Sequence, residues 1–300
     1  MGPLTTIALP IALGIIMFGL GLSLRPADFA RVAKHPKAVI IALACQLIVL
    51  PAICLGLVVL FRLPPILAVG MMLLAAAPGG TTANLYSHLF RGDVALNITL
   101  TAVNSVIAVF TLPFITNFAI GLFMPGEDGL GLEFSKAVEV FLIVLGPVVL
   151  GMLVRWWKPK FADAMDRPVR IASMIILAIV IVGAVVANRD ILLANVGKLA
   201  GITVLFCALS LTIGFFIPRL FRVERTQAVA SSFEIGIHNA TLAIVIAQSV
   251  LGSLELSLPA AVYGVLMFFV ALLFGLLVAR RGAKTPDAKG PTEKEPSVAG

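Results

Sequence analysis

Charge is what this chain lacks most. Only 12% of its 300 residues are Asp, Glu, Lys or Arg, against roughly 25% in soluble domains. Hydrophobic residues make up 60%, and the mean hydropathy is +1.09. Stretches of 20 to 33 residues pass without a full charge, long enough to cross a hydrocarbon core about 30 Å thick. A single soluble globule is excluded, and an all-α polytopic membrane protein is implied. Cysteine is scarce as well. Cys45, Cys54 and Cys207 all fall in apolar segments, without the spacing of a disulfide framework or a metal site. Acidic residues are fewer than basic ones, 15 against 22. In a soluble chain that excess would suggest nucleic acid, but here basic loops account for it, and no nucleic-acid partner is expected. The N-terminus has no basic n-region and no A-x-A-like cleavage site, so it is expected to be a first span rather than a signal peptide.

Apolar periodicity predicts nine spans, at about 4–23, 38–60, 64–90, 94–120, 137–154, 171–187, 199–217, 227–251 and 258–279. Lysine and arginine then orient them. With the N-terminus outside, the inner segments carry 18 of the 22 basic residues and the outer loops keep only Arg62, Lys136, Arg189 and Lys198. Glu127, Asp128 and Glu133 cluster in an outer loop. This asymmetry predicts a multi-pass protein of the cell (inner) membrane with a cytoplasmic C-terminus. Trp156 and Trp157 beside Lys158 read as interfacial anchors, Met71 and Met72 as packing residues, and His88 as an interfacial side chain. The tail 282–300, rich in Pro, Lys, Glu and Gly, is expected to be disordered.

Two segments break the apolar pattern. Glu234 is the one carboxylate well inside a hydrophobic run, within Phe233-Glu234-Ile235-Gly236-Ile237-His238-Asn239-Ala240-Thr241. An ionised Glu at bilayer depth costs at least a few kcal/mol and needs a partner. With Gly236 loosening the helix, that partner is expected to be a cation held at a break. The second is Pro78-Gly79-Gly80-Thr81-Thr82-Ala83-Asn84, in the middle of the third span. Proline removes a backbone donor and the glycines relax the chain, so a break is expected there too. A proline kink covered by Thr hydroxyls is the plainer alternative. The two breaks lie five spans apart, and an odd offset sets them in opposite orientations. That is the pattern of an inverted repeat in which two discontinuous helices cross near the midplane. Spans one to four would then pair with six to nine.

Polar residues nearby extend the pattern. Asn97, Thr101 and Asn104 fall within an arc of about 60° on the fourth span, flanked by Ser105. Gln46 is an isolated amide in the second. Ordinary helix–helix hydrogen bonding accounts for such residues equally well. A hard cation such as sodium takes oxygen ligands, which Asn, Thr and Glu side chains and unwound carbonyls supply.

Together these motifs resemble the bile acid:sodium symporter family over about residues 5–280. The markers are Met17-Phe18-Gly19-Leu20-Gly21-Leu22, Gln46, Pro78-Gly79-Gly80-Thr81 with Asn84, Arg91-Gly92-Asp93-Val94-Ala95-Leu96, and Glu234-Ile235-Gly236-Ile237-His238-Asn239. The resemblance implies a panel domain (1–24 and 137–187, spans one, five and six) and a core domain (38–120 and 199–279, spans two to four and seven to nine). It implies two sodium sites behind the crossing. The first falls on Asn84, Asn97, Thr101 and Glu234, with Ala83 standing where the family has Ser and offering no side-chain oxygen. The second falls on Gln46, Glu234, the carbonyls of Ile235 and Ile237, and His238, where many members have Gln. Thr81, Thr82 and Asn239, which flank the breaks formed by Pro78, Gly79, Gly80 and Gly236, are expected beside the substrate. The implied activity is sodium-coupled symport of an organic anion, bile-acid-like or a small carboxylate such as pantoate or a 2-oxo acid, with Na+ as coupling ion, no other cofactor and no enzymatic role. A proton-coupled or facilitative transporter stays open, because Ala83 removes a ligand and His238 could carry a proton. The plainer and preferred reading of His238 is a neutral hydrogen-bond partner of Glu234 or of the crossing. An intramembrane enzyme is a distant alternative, since no nucleophile or metal-ligand motif accompanies Glu234 and His238.

Overall fold

The computed structural model describes residues 3–126, 134–187 and 189–282, and among these the chain is almost wholly helical. The acidic cluster Glu127, Asp128 and Glu133 and the tail from 283 to 300 lie outside the described residues. In chain order the helices are α1 (Pro3–Ser23), α2 (Pro26–Ala30), α3 (Pro36–Ala44), α4 (Leu50–Phe61), α5 (Pro65–Ala76), α6 (Thr82–Leu89) and α7 (Val94–Phe123). They continue with α8 (Phe134–Trp157), α9 (Pro159–Ala187), α10 (Arg189–Leu220), α11 (Arg225–Gly236), α12 (Ala240–Val245) and α13 (Leu258–Gly282). Four helical stretches among the described residues are long and apolar enough to cross a membrane: Pro36–Phe61, Val94–Phe123, Arg189–Leu220 and Glu255–Val278.

Helix ends depart from the hydropathy boundaries where charge, not conformation, stops the apolar run. α9 starts at Pro159 and α10 at Arg189, each some turns before the expected 171 and 199. α9 carries Lys160 in its first turn and Asp163 just beyond it, and α10 carries Arg189 and Asp190 in its first turn. Such residues are compatible with a helix but not with lipid, so hydropathy marks depth rather than helix length.

Both expected breaks are present. α5 stops at Ala76, and Ala77 takes ψ 142°, the extended geometry that a following proline favours. The chain resumes helix at Thr82. α11 stops at Gly236 and α12 begins at Ala240, with Asn239 Oδ1 accepting the Leu242 N–H at 3.0 Å as a cap. The two linkers meet as an antiparallel bridge, Gly79 opposite His238. Gly80 N–H donates to Ile237 O at 2.7 Å and Asn239 N–H to Pro78 O at 2.8 Å. Each unwound segment therefore satisfies backbone groups of the other, as unwound backbone at membrane depth requires.

Two π-helical turns widen the remaining helices. Cys45–Val49 joins α3 to α4, and Ile246–Val250 extends α12. The first precedes Pro51, whose ring would meet the carbonyl four residues back in a regular helix. Widening the turn relieves that clash and presents Gln46 from the bulge.

The remaining motifs are packing devices. α1 lies on α8 and α9, and a Cβ at Gly151 would press on the α1 backbone, 2.7 Å from Leu22 N. Small residues of this kind let membrane helices approach closely. In Arg91-Gly92-Asp93, Arg91 turns the chain at φ 58°. A Cβ on Gly92 would stand 3.0 Å from Val229 Cγ1 and 3.1 Å from Ala230 N on α11. Asp93 caps α7, its Oδ1 accepting the Leu96 N–H at 2.9 Å.

Candidate cation site and adjoining cavity

Glu234 sits in the last turn of α11 and is 2% exposed. The Thr101 hydroxyl on α7 lies 2.5 Å from Glu234 Oε2 and 3.1 Å from the Asn97 carbonyl oxygen. Its single proton serves the shorter contact. Gly79 of the facing linker lies so close that a Cβ there would collide with the carboxylate. Glycine is required here for space. The Gly79 backbone N–H also faces this carboxylate, whose Oε1 otherwise lacks a hydrogen-bond partner.

One turn earlier on α11, Ala230 O accepts from Asn97 Nδ2 at 2.8 Å, and Ser87 Oγ of α6 accepts from the same nitrogen at 2.9 Å. Both amide protons are thus used, and Asn97 Oδ1 is left without a partner. Gln46 behaves alike. Its Nε2 donates to Ala77 O at 3.1 Å and approaches His238 Nε2 at 3.5 Å, while Oε1 has no partner. Asn84 Oδ1 on α6 is a fourth buried acceptor in this condition.

The buried unpaired atoms among the described residues also include Asn104 Nδ2 and the hydroxyls of Thr116, Ser231 and Ser249. The four that can only accept are the carbonyl oxygens of Gln46, Asn84 and Asn97 and the carboxylate oxygen of Glu234. Leaving such a group buried and unpaired costs about 1–3 kcal/mol, more for a charged one. Each of the four can accept a hydrogen bond from a donor such as water or serve as an oxygen ligand to a hard cation.

The other sequence-derived candidates divide. Ile237 is in the linker with its carbonyl already accepting from Gly80, Ile235 is in the final turn of α11, and Ala83 is fully buried and apolar. His238 is 1% exposed, tilted at 40° against the Phe206 ring and edge-on to Tyr263. Its Nδ1 is 3.1 Å from Tyr263 Oη and its Nε2 3.5 Å from Gln46 Nε2, so its side-chain contacts run to Tyr263 and Gln46 rather than to Glu234. Ser105 donates to Thr101 O at 2.7 Å, within its own helix.

A cavity of about 480 Å³ adjoins the crossing. Thr81, Thr82, Asn239 and Thr241 line one side, and Met17 and Leu20 of α1 with Val169 of α9 line another. The three residues expected beside a substrate are therefore together on one wall. No Asp, Glu, Lys or Arg is among its described lining residues.

A model of the Sodium Bile acid symporter family matches residues 10–195. The chain belongs to this family. It is 27% identical over 255 residues to the "Uncharacterized sodium-dependent transporter YocS" of Bacillus subtilis (strain 168), covering 85% of this chain and 78% of that protein. It is 24% identical over 299 residues to the "Ileal sodium/bile acid cotransporter" of Oryctolagus cuniculus, covering 96% and 85%. Against "Probable sodium/metabolite cotransporter BASS2, chloroplastic" of Oryza sativa subsp. japonica, identity is 24% over 277 residues, 92% of this chain and 65% of that longer protein. The relatives are named as transporters, so this family member is a membrane transport protein and not an enzyme.

Three functional candidates escaped the sequence reading. Tyr263 is one of only two tyrosines in the chain, and its hydroxyl donates to Gly236 O at 2.9 Å. A lone tyrosine in an apolar span was the available signal. His88, expected at an interface, lines the cavity. Ser87 holds Asn97, a contact with no signature in sequence spacing.

Proposed function

We propose that this protein is a sodium-coupled symporter of an organic anion, working by alternating access. The observation that carries the reading is the set of acceptor-only buried oxygens on Gln46, Asn84, Asn97 and Glu234, contributed by separate helices around the crossing. Sodium would neutralise Glu234 and tie α6, α7 and α11 together, with Thr101 as a further oxygen. The backbone carbonyls of Ile235 and Ile237 and the side chain of His238 would border a second ion. Ala83 withholds one oxygen from the first site, and the longer Asn97 side chain compensates for it.

The anion would sit in the adjoining cavity against Thr81, Thr82 and Asn239. The N-terminal ends of α6 and of α12 with its π extension favour negative charge there, and apolar side chains of α1 and α9 would cover the rest. Because the cavity lies between α1 and α9 on one side and the crossing on the other, movement of α1, α8 and α9 as a panel against the other helices would open it alternately. The nine-span inverted repeat, the 1–24/137–187 panel and the 38–120/199–279 core belong to this proposal. So does the outside N-terminus, which the Lys and Arg distribution supports. Cation and anion share one crossing, so each raises the other's affinity by the same factor.

The test is uptake into proteoliposomes of labelled organic anions, from bile acids to small 2-oxo acids, with and without an inward sodium gradient. Uptake of at least one anion that rises with the sodium gradient supports the reading. Uptake driven equally by a proton gradient alone, or by neither, contradicts it.

A further inference from the structure

Resting on that reading, we infer that Tyr263 and His238 are positioning residues that aim the Gln46 carbonyl oxygen at the cation site, with His238 held as the neutral tautomer protonated on Nδ1. The hydrogen-bond chain can be read from both ends. At one end Ala77 O, which can only accept, lies 3.1 Å from the terminal amide of Gln46, so the atom facing it is the NH2 group. The second proton of that group points to His238 Nε2 at 3.5 Å. Nε2 must therefore present its lone pair. At the other end Gly236 O, another pure acceptor, takes the Tyr263 hydroxyl proton at 2.9 Å. The Tyr263 oxygen is then the acceptor for His238 Nδ1–H at 3.1 Å. Both ends favour one tautomer, the Cys207 thiol at 3.4 Å being the weaker and more distant donor to Gly236 O. They leave Gln46 Oε1 without a donor.

A cationic imidazolium would set an Nε2–H against the Gln46 NH2 group, donor against donor. The opposite tautomer would do the same unless Gln46 turned over, and turning would place Oε1 on His238 and withdraw it from the cation. The wiring is unlike that of a side chain ferrying a proton. All four groups are deeply buried: Tyr263 is 0%, His238 1% and Gln46 4% exposed, and Gly236 ends α11 inside the core. Phe206 packs on both rings at 5.4 and 6.0 Å between centroids and holds them in place.

The chain has three histidines, so their tautomers can be read by nitrogen-15 NMR on histidine-labelled protein at neutral pH, with His238→Gln assigning the His238 signal by its disappearance. The expected result is a neutral Nδ1–H imidazole in the wild type and a shift toward Nε2–H in Tyr263→Phe. In parallel, the half-saturating sodium concentration should rise at least about tenfold in Tyr263→Phe and His238→Leu, the scale of one buried hydrogen-bonded ligand. His238→Gln, whose amide can donate to Tyr263 and accept from Gln46, should recover most of that loss. An imidazolium or an Nε2–H signal in the wild type overturns the inference. So does a sodium-responsive wild type whose response Tyr263→Phe leaves unchanged. A wild type with the expected tautomer but no sodium response instead overturns the proposed function, and the aiming role falls with it.

Discussion

Glu234 shows how one side chain organises its surroundings. Its carboxylate is packed against Gly79, receives the Thr101 hydroxyl on one oxygen and has no side-chain partner on the other. A charge-assisted hydrogen bond in a buried site contributes about 1.5–3 kcal/mol. Thr101→Val keeps the shape and removes that bond. We expect it to weaken sodium affinity about ten- to hundredfold while leaving the protein folded, as read from the sodium dependence of uptake at fixed substrate. An unchanged sodium dependence would place the cation elsewhere. At this scale the sequence was legible wherever polarity was anomalous for its depth. Glu234, Gln46, Asn97 and Thr101 stand out because lipid penalises them. Ser87 did not, since a hydroxyl that bonds a neighbour across the fold leaves no periodic trace, and Tyr263 offered only its rarity in an apolar span.

Interrupted helices are the next scale. Pro78 and the paired glycines made the first break readable, and Gly236 the second, because missing donors and missing Cβ atoms are local properties. That the linkers bond to each other was not local. It depends on Gly80 reaching Ile237 and Asn239 reaching Pro78, more than 150 positions apart in sequence. The π turn at Gln46 was likewise only hinted at by Pro51. Crossing and site are one construction, so a substitution at the linker should affect both. Gly79→Ala places a Cβ against the Glu234 carboxylate, and overpacking of this kind costs about 1–3 kcal/mol. The expected outcome is a lower melting temperature in detergent together with loss of sodium stabilisation. A variant that melts and responds to sodium like the wild type would show that the linkers are looser than the geometry implies.

For the whole molecule, composition alone separated a membrane protein from a soluble one, and the helical segments followed from the same scarcity of charge. Their ends did not, as α9 and α10 show, because charged first turns hide a helix from hydropathy. The cavity was foreseeable only in part. Thr81, Thr82 and Asn239 flank the breaks and so marked one wall, whereas the contribution of α1 and α9 arises from tertiary packing. The family match and the buried acceptors lead to one account, in which a cation bound at Glu234 completes the crossing and makes the neighbouring cavity fit for an anion. The most direct test is radiotracer sodium binding to purified protein in detergent, wild type against Glu234→Ala. The account predicts saturable binding that disappears in the variant while its helical content is retained. Undiminished sodium binding by Glu234→Ala, or none by the wild type, would contradict it.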